Sequence, residues 1–287
     1  MEGDATSDEN RCTHTFMSKG RAPPPVRWIH QVKVDGTLTY RAGKRGTDLI
    51  AQWPGLGTLT CGRAGEAASF AAVAGASERT IAKLQRAQVR GLLRDLTGGL
   101  TVHASAVSVE GRAVLFIGPN GAGKSTAAAE MCLWHGAMMF ADDAASLEVG
   151  PAGAYVAPYE EDHWLTPESC SSLGIAPGKS ATSAQKQDLR ATNVAIEPHP
   201  LALIVALRFD PSIKSTALRW LHGGDAARLL LEAVIRFDLE DGGARQRELN
   251  QLMTIHQGAL FLEIVRPLRD PGGVAAFVLD ALRRSRQ

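Results

Sequence analysis

The stretch Gly118-Pro119-Asn120-Gly121-Ala122-Gly123-Lys124-Ser125-Thr126 constrains the chain more than any other. It matches G-x-x-x-x-G-K-S, and it stands between an apolar run, AVLFI, and an alanine-rich segment, AAAEMCLWH, that reads as a helix. Glycines are needed there because backbone N–H groups must turn inward around phosphates in conformations a side chain would obstruct. Lys124 then supplies a cation to the outer phosphates and Ser125 a hydroxyl to Mg²⁺. The helix directs the positive end of its dipole at the same anions. Residues 118 to 126 are therefore the expected nucleotide site, with ATP and Mg²⁺ as the expected cofactors.

A phosphate so held needs a destination. The segment AMMFADD reads as a buried strand ending in Asp142 and Asp143. An acid at the carboxyl end of a strand beside such a loop holds Mg²⁺, and a second can accept the proton of an incoming hydroxyl. Adjacent strand residues point to opposite faces, so both serve one site only if the strand ends or bends there. The alternative at this stage is one metal acid beside one solvated acid.

The rest of the chain reads as follows. Residues 1–25 are polar and end in a proline run, as expected of a flexible lead. A β-rich and helical subdomain is expected over 26–97. It would hold a hairpin turned at Asp35-Gly36, short strands at DLIAQW and TLTCG, and a helix over 81–96 closed by Gly98 and Gly99. An α/β domain is expected over 98–287: LTVHASAVSV and AVLFIG as strands, LALIVALRF and ALFLEIVRP as later strands, and helices at GDAARLLLEAVIRF, RELNQLMTIHQ and GGVAAFVLDALRRS. EEDHW at 160–164 could attract Mg²⁺ or a cationic peptide, but it reads first as a solvated charged turn. Lys179, Lys186 and Arg190 could form a mobile lid or an exposed loop.

Composition removes several function classes. With 31 basic and 30 acidic residues, nothing suggests a nucleic-acid partner, and no apolar run approaches the ~20 residues a membrane span requires. The four cysteines lack the paired spacing of a zinc site, and a polar N-terminus lacks a secretory profile. A cytoplasmic protein is expected.

The run HASAVSVEGRAVLFIGPNGAGKST, followed after one helix by ADDAASLEV, resembles the HPr kinase/phosphorylase family and its shorter relatives. The resemblance is close over about residues 98 to 150. It implies a P-loop kinase core and gives His103 the place of the family's active-site histidine, orienting the acid pair. It makes Asp142 the base and leaves Asp143 to support Mg²⁺. The loop ends GKST rather than the family's usual GKSE, and the long glycine-rich signature after the acid pair is missing. Those departures bring the chain nearer to relatives that act on peptides, including the kinases of the C-terminal serine of lasso-peptide precursors. The implied partner is a peptide or small protein with an acceptor serine, and the parent family's hexamers make a homo-oligomer an expectation. Two other readings share the loop: a kinase of a free small molecule such as serine or a sugar, and a switch or motor NTPase. The latter would ordinarily carry an N-K-x-D or ABC-type signature, which the sequence lacks.

Overall fold

The run LALIVALRF is apolar at almost every position, as a strand covered on both faces must be. A computed structural model of the chain describes residues 24–176, 186–236, 240–267 and 273–284, and buries that run at the centre of a nine-stranded mixed sheet.

The elements in chain order are β1 (Arg27–Val34), β2 (Thr37–Arg45), β3 (Asp48–Trp53), β4 (Gly57–Cys61) and β5 (Ser69–Ala72). Then come α1 (Glu78–Leu84), a π-turn (Gln85–Val89), α2 (Arg90–Leu96), β6 (Leu100–Val102), β7 (Ser105–Val109), β8 (Arg112–Ile117), α3 (Lys124–Trp134) and β9 (Met138–Asp142). They are followed by β10 (Ala145–Gly150), β11 (Gly153–Ala157), β12 (Asp162–Leu165), α4 (Pro167–Ser172), β13 (Gln187–Arg190), β14 (His199–Phe209) and β15 (Ala217–Trp220). The last are α5 (Gly223–Ala233), α6 (Gly242–Gly258), β16 (Leu260–Arg266) and α7 (Ala275–Arg284).

Strands β1 to β5 form an antiparallel sheet in sequence order. The expected hairpin turns at Asp35 and Gly36, both with positive φ, as a two-residue turn between twisted strands requires. This sheet packs Leu49, Ala51, Trp53 and Leu59 against Leu84, Val89 and Leu92 of the long helix. The helix stops where expected: Gly98, at φ 82°, and Gly99 turn their N–H groups back onto the carbonyls of Asp95 and Arg94. Its opposite face carries Arg79, Lys83, Arg86 and Arg90, one stripe at helical spacing. That stripe meets the segment after β11: Arg79 pairs with Asp188, Arg86 with Asp162 at 3.3 Å, and Arg90 donates to the Tyr159 carbonyl at 3.2 Å.

The large sheet runs β6-β10-β11-β14-β8-β7-β9, with β16 also paired to β14, and β15 to β16. Strands β8, β14 and β16 are parallel. The pleat sends Leu203, Val205 and Leu207 to the face covered by α3 and α7, and Ile204 and Ala206 to the face covered by α5 and α6. This is the α/β architecture with a β-rich N-terminal portion that the sequence implies. Two details differ. LTVHASAVSV is broken at His103 and Ala104 into β6 and β7, because β6 pairs with β10 whereas β7 pairs with β8 and β9. Helix α5 ends at Ala233, since Val234 bridges to Val102 and the Ile235 N–H bonds to the Thr101 carbonyl instead.

Candidate active site

Strand register brings the cradle and the acids to one edge. Ser105, first residue of β7, is the partner of Phe116 on one side and of Asp142 on the other. Both neighbours run antiparallel to β7, so β8 and β9 deliver their carboxyl ends together, about 10 Å apart across two strand spacings. Strand β7 lies between them, and His103 sits just before it. The acid pair therefore stands one strand removed from the loop rather than directly beside it.

The loop has the backbone a phosphate cradle needs. Gly121 and Gly123 have φ of 81° and 91°, and a Cβ at Gly118 would collide with the Leu207 carbonyl oxygen. Gly123 caps α3, whose first turn holds no acidic residue to compete for an anion. Lys124 is buried, and its Nζ donates to the Gly118 carbonyl at 2.8 Å and the Pro119 carbonyl at 3.3 Å. Burial pushes its pKa below the ordinary lysine value, against the opposing pull of Asp143 and Asp142. Ser125 is half-buried, Pro119 and Asn120 exposed, and Ala122 buried with its carbonyl accepting from Arg266 at 3.1 Å. The Thr126 hydroxyl bonds to Ser169 Oγ of α4 at 2.8 Å, so its side chain ties the α3 helix to α4.

The two carboxylates have different surroundings. Asp142 is 1% exposed; its Oδ1 accepts from Ser105 Oγ at 2.6 Å and its Oδ2 from the Trp164 N–H at 2.6 Å. Both oxygens of Asp142, the acid expected to meet a hydroxyl, are thus engaged in the interior. β9 ends at Asp142, and the chain turns at Asp143 through φ 116°, a value a non-glycine residue holds only when its surroundings impose it. That turn brings the Asp143 carboxylate out of the core, 2.8 Å from Lys83 Nζ. Burial would raise its pKa, but Lys83, with Lys186 and His103, holds it below the ordinary value.

His103 joins the two halves. Its Nδ1 lies 2.8 Å from the Asp143 carbonyl oxygen, which can only accept, so Nδ1 carries the proton and Nε2 the lone pair. The Asn120 side chain of the loop also bonds to the ring. Burial, then the Lys124 charge, lowers the histidine pKa, so the ring is neutral near pH 7.

Further groups stand at the site, and Lys83 among them carries no local sequence signal. Lys83 comes from the N-terminal helix, and its ammonium also lies 4.5 Å from the Trp164 ring centroid. Glu160 is buried, and its Oε2 accepts from the Asp142 N–H at 2.7 Å. Burial pushes its pKa up to about 8. His163 is 1% exposed and Trp164 6%. EEDHW is thus largely an interior strand rather than a solvated turn. Of the expected lid residues, Lys186 is near enough for its charge to act on both Asp143 and Lys124. Arg190 pairs instead with Glu161 and Asp162 at the far end of β13, and Lys179 lies outside the described residues.

No family model matches the chain. No curated protein matches it either. Among solved structures 53 chains match. One is described as the Hpr(Ser) kinase/phosphatase from Coxiella burnetii, similar at 13% identity over 65% of this chain and 90% of that one, with a TM-score of 0.36. A likeness at that level decides neither activity nor substrate. Among the described residues no helix is long and apolar enough to cross a membrane. Cys61, Cys132 and Cys170 are buried free thiols.

The donors fit a nucleotide with Mg²⁺. The described residues contain no group of three or more His, Cys, Asp or Glu side chains able to hold a metal. Magnesium does not require one, since it is commonly bound by one or two protein oxygens with substrate phosphates and water. Ser125 and Asp143 supply hard oxygens of that kind.

Proposed function

We propose that this chain is a phosphotransferase that moves the γ-phosphoryl group of ATP to an alcohol, most specifically a serine hydroxyl of a peptide or small protein in the cytoplasm. The family resemblance of residues 98 to 150 adds the lasso-peptide precursor as the acceptor to try first. One observation carries the reading: the register of β7 aligns the phosphate loop and Asp143 on one edge, with His103 bonded to both sides.

The backbone N–H groups of residues 120 to 125 and the Lys124 ammonium hold the phosphates. To do so Lys124 exchanges the Gly118 and Pro119 carbonyls for phosphate oxygens. Ser125 and Asp143 would hold Mg²⁺, which when bound would supply positive charge to the phosphates. The acceptor oxygen forms a bond to the γ-phosphorus as the bond to the β,γ-bridging oxygen breaks, releasing ADP. The hydroxyl proton passes to the Asp143 carboxylate, whose depressed pKa keeps it ionised at neutral pH. His103 fixes the Asp143 backbone at its strained turn and couples it to Asn120. Asp142 acts through Ser105 and Trp164, anchoring the end of β9 so that the next residue is correctly aimed. Positioning and charge neutralisation supply most of the acceleration.

The test is incubation with γ-labelled ATP and serine peptides, including lasso-peptide precursors, with mass spectrometry of the products. Asp143→Asn is expected to bind ATP normally and to transfer no phosphate, while Asp142→Asn keeps measurable transfer. Transfer by the Asp143→Asn protein at the wild-type rate would sink the assignment.

A further inference from the structure

A cavity of about 410 Å³ opens beside the site, lined by Ser77, Arg79, Thr80, Lys83, Trp164 and Lys186. That volume lies within the range of small-molecule sites. Lys83 belongs both to this cavity and to the reaction centre, through its contact with Asp143. Lys186 lies on the cavity wall and adds positive potential at Asp143. Every ionisable group among the lining residues is a cation. The one carboxylate bonded to Arg79, Asp188 of β13, does not line the cavity. Ser77 and Thr80 add hydroxyls, and Trp164 adds an aromatic face over which both Arg79 and Lys83 stand. Phosphate binding as derived above uses Lys124 and the loop and has no need of Arg79. Lys83 and Arg79 each pair with one carboxylate, Asp143 and Asp188, and Lys186 adds a third cation, so the space holds one positive charge more than the carboxylates bonded to Arg79 and Lys83 balance, and an anion entering it would be attracted.

We propose that this cavity is the acceptor subsite. It selects an acceptor that carries an anionic group, a carboxylate or a phosphate, within a side chain's length of the hydroxyl to be phosphorylated. Arg79 and Lys186 take the anion while the hydroxyl lies at Asp143. This deepens the phosphotransferase reading and rests on it. It makes the N-terminal helix a specificity element of the enzyme.

The experiment is a calorimetric titration of the full chain, saturated with Mg²⁺ and a non-hydrolysable ATP analogue. The probes are three blocked pentapeptides that differ only in the residue after a central serine: aspartate, asparagine or phosphoserine. The aspartate peptide is expected to bind about tenfold more tightly than its asparagine twin, as charge-assisted hydrogen bonds to one anion allow. Arg79→Gln is expected to bring the two within about threefold while leaving the affinity for the ATP analogue unchanged. The phosphoserine peptide separates the two anion sources: tighter binding than aspartate assigns the cavity to phosphate, weaker binding to carboxylate. Equal affinity for the aspartate and asparagine peptides would overturn the proposal, as would weaker binding of the ATP analogue by Arg79→Gln. Repeating the titration with Lys124→Ala, without nucleotide, separates the two claims. An aspartate preference that persists in a chain whose wild type binds no ATP keeps the anion subsite and removes the phosphotransferase reading.

Discussion

Glu160→Gln isolates the electrostatics that hold the acid pair in place. Glu160 is buried against the Asp142 N–H, and its pKa is raised from 4.5 to about 8, chiefly by burial. Between those values the folded chain keeps a proton that the unfolded chain has released, so stability falls as pH rises through that window. Each pH unit in the interval costs about 1.4 kcal/mol, and the loss by pH 8 is on the order of 4–5 kcal/mol. Glutamine mimics the neutral acid and can accept the same hydrogen bond, so the variant should match the wild type within about 1 kcal/mol at pH 5. It should then gain on the wild type steadily up to about pH 8 and level off above it. Burial also lowers the pKa values of His103 and His163, which makes stability rise with pH. Both proteins share those histidines, so the difference between them removes that contribution. Denaturant unfolding at pH 5, 6, 7 and 8, followed by circular dichroism, reads the difference directly. A stability difference that stays flat across this range would refute the claim that Glu160 is neutral in the fold.

Other outcomes follow from single contacts. Lys124→Ala should abolish binding of a fluorescent ATP analogue while leaving the melting temperature within a few degrees of the wild type. Gly118→Ala forces a methyl group into the Leu207 carbonyl, and should both weaken nucleotide binding and lower stability by about 1–3 kcal/mol in denaturant titrations. Asp142→Ala strips acceptors from the Trp164 N–H and the Ser105 hydroxyl and should cost about 2–5 kcal/mol. Asp142→Asn can satisfy both partners and should cost less than half as much. Glu130 accepts from the Val274 and Ala275 N–H groups at the start of α7, so Glu130→Ala should destabilise by about 1–3 kcal/mol, with faster hydrogen exchange in α7.

The parts of this molecule legible in its sequence are those written in local pattern. The loop, the strand before it and the helix after it are contiguous, and β14 declares its double-sided burial in an unbroken apolar run. The acid pair was visible as a pair, and so was the condition that both could serve only at a bend. Which acid turns outward was not visible. That choice is made by the β7 register, by Ser105 and Trp164, and by the backbone at Asp143. Lys83 was invisible for a related reason. In its own helix it is one lysine among several basic residues, and its partner lies 60 positions away in the chain. EEDHW misled because its charges suggest water, whereas Glu160 exchanges water for a backbone donor inside the fold. The break at His103 has no signature in the alternation, because alternation reports faces and what changes there is the partner strand.

The pairing of Lys83 with Asp143 has an evolutionary corollary. A recombination event that replaced the leading third of this gene would keep every residue of the phosphate motif intact, yet deliver a protein in which Asp143 had lost its counter-ion. Any such graft must bring a new positive charge to the same point in space, so the two segments are expected to be inherited together.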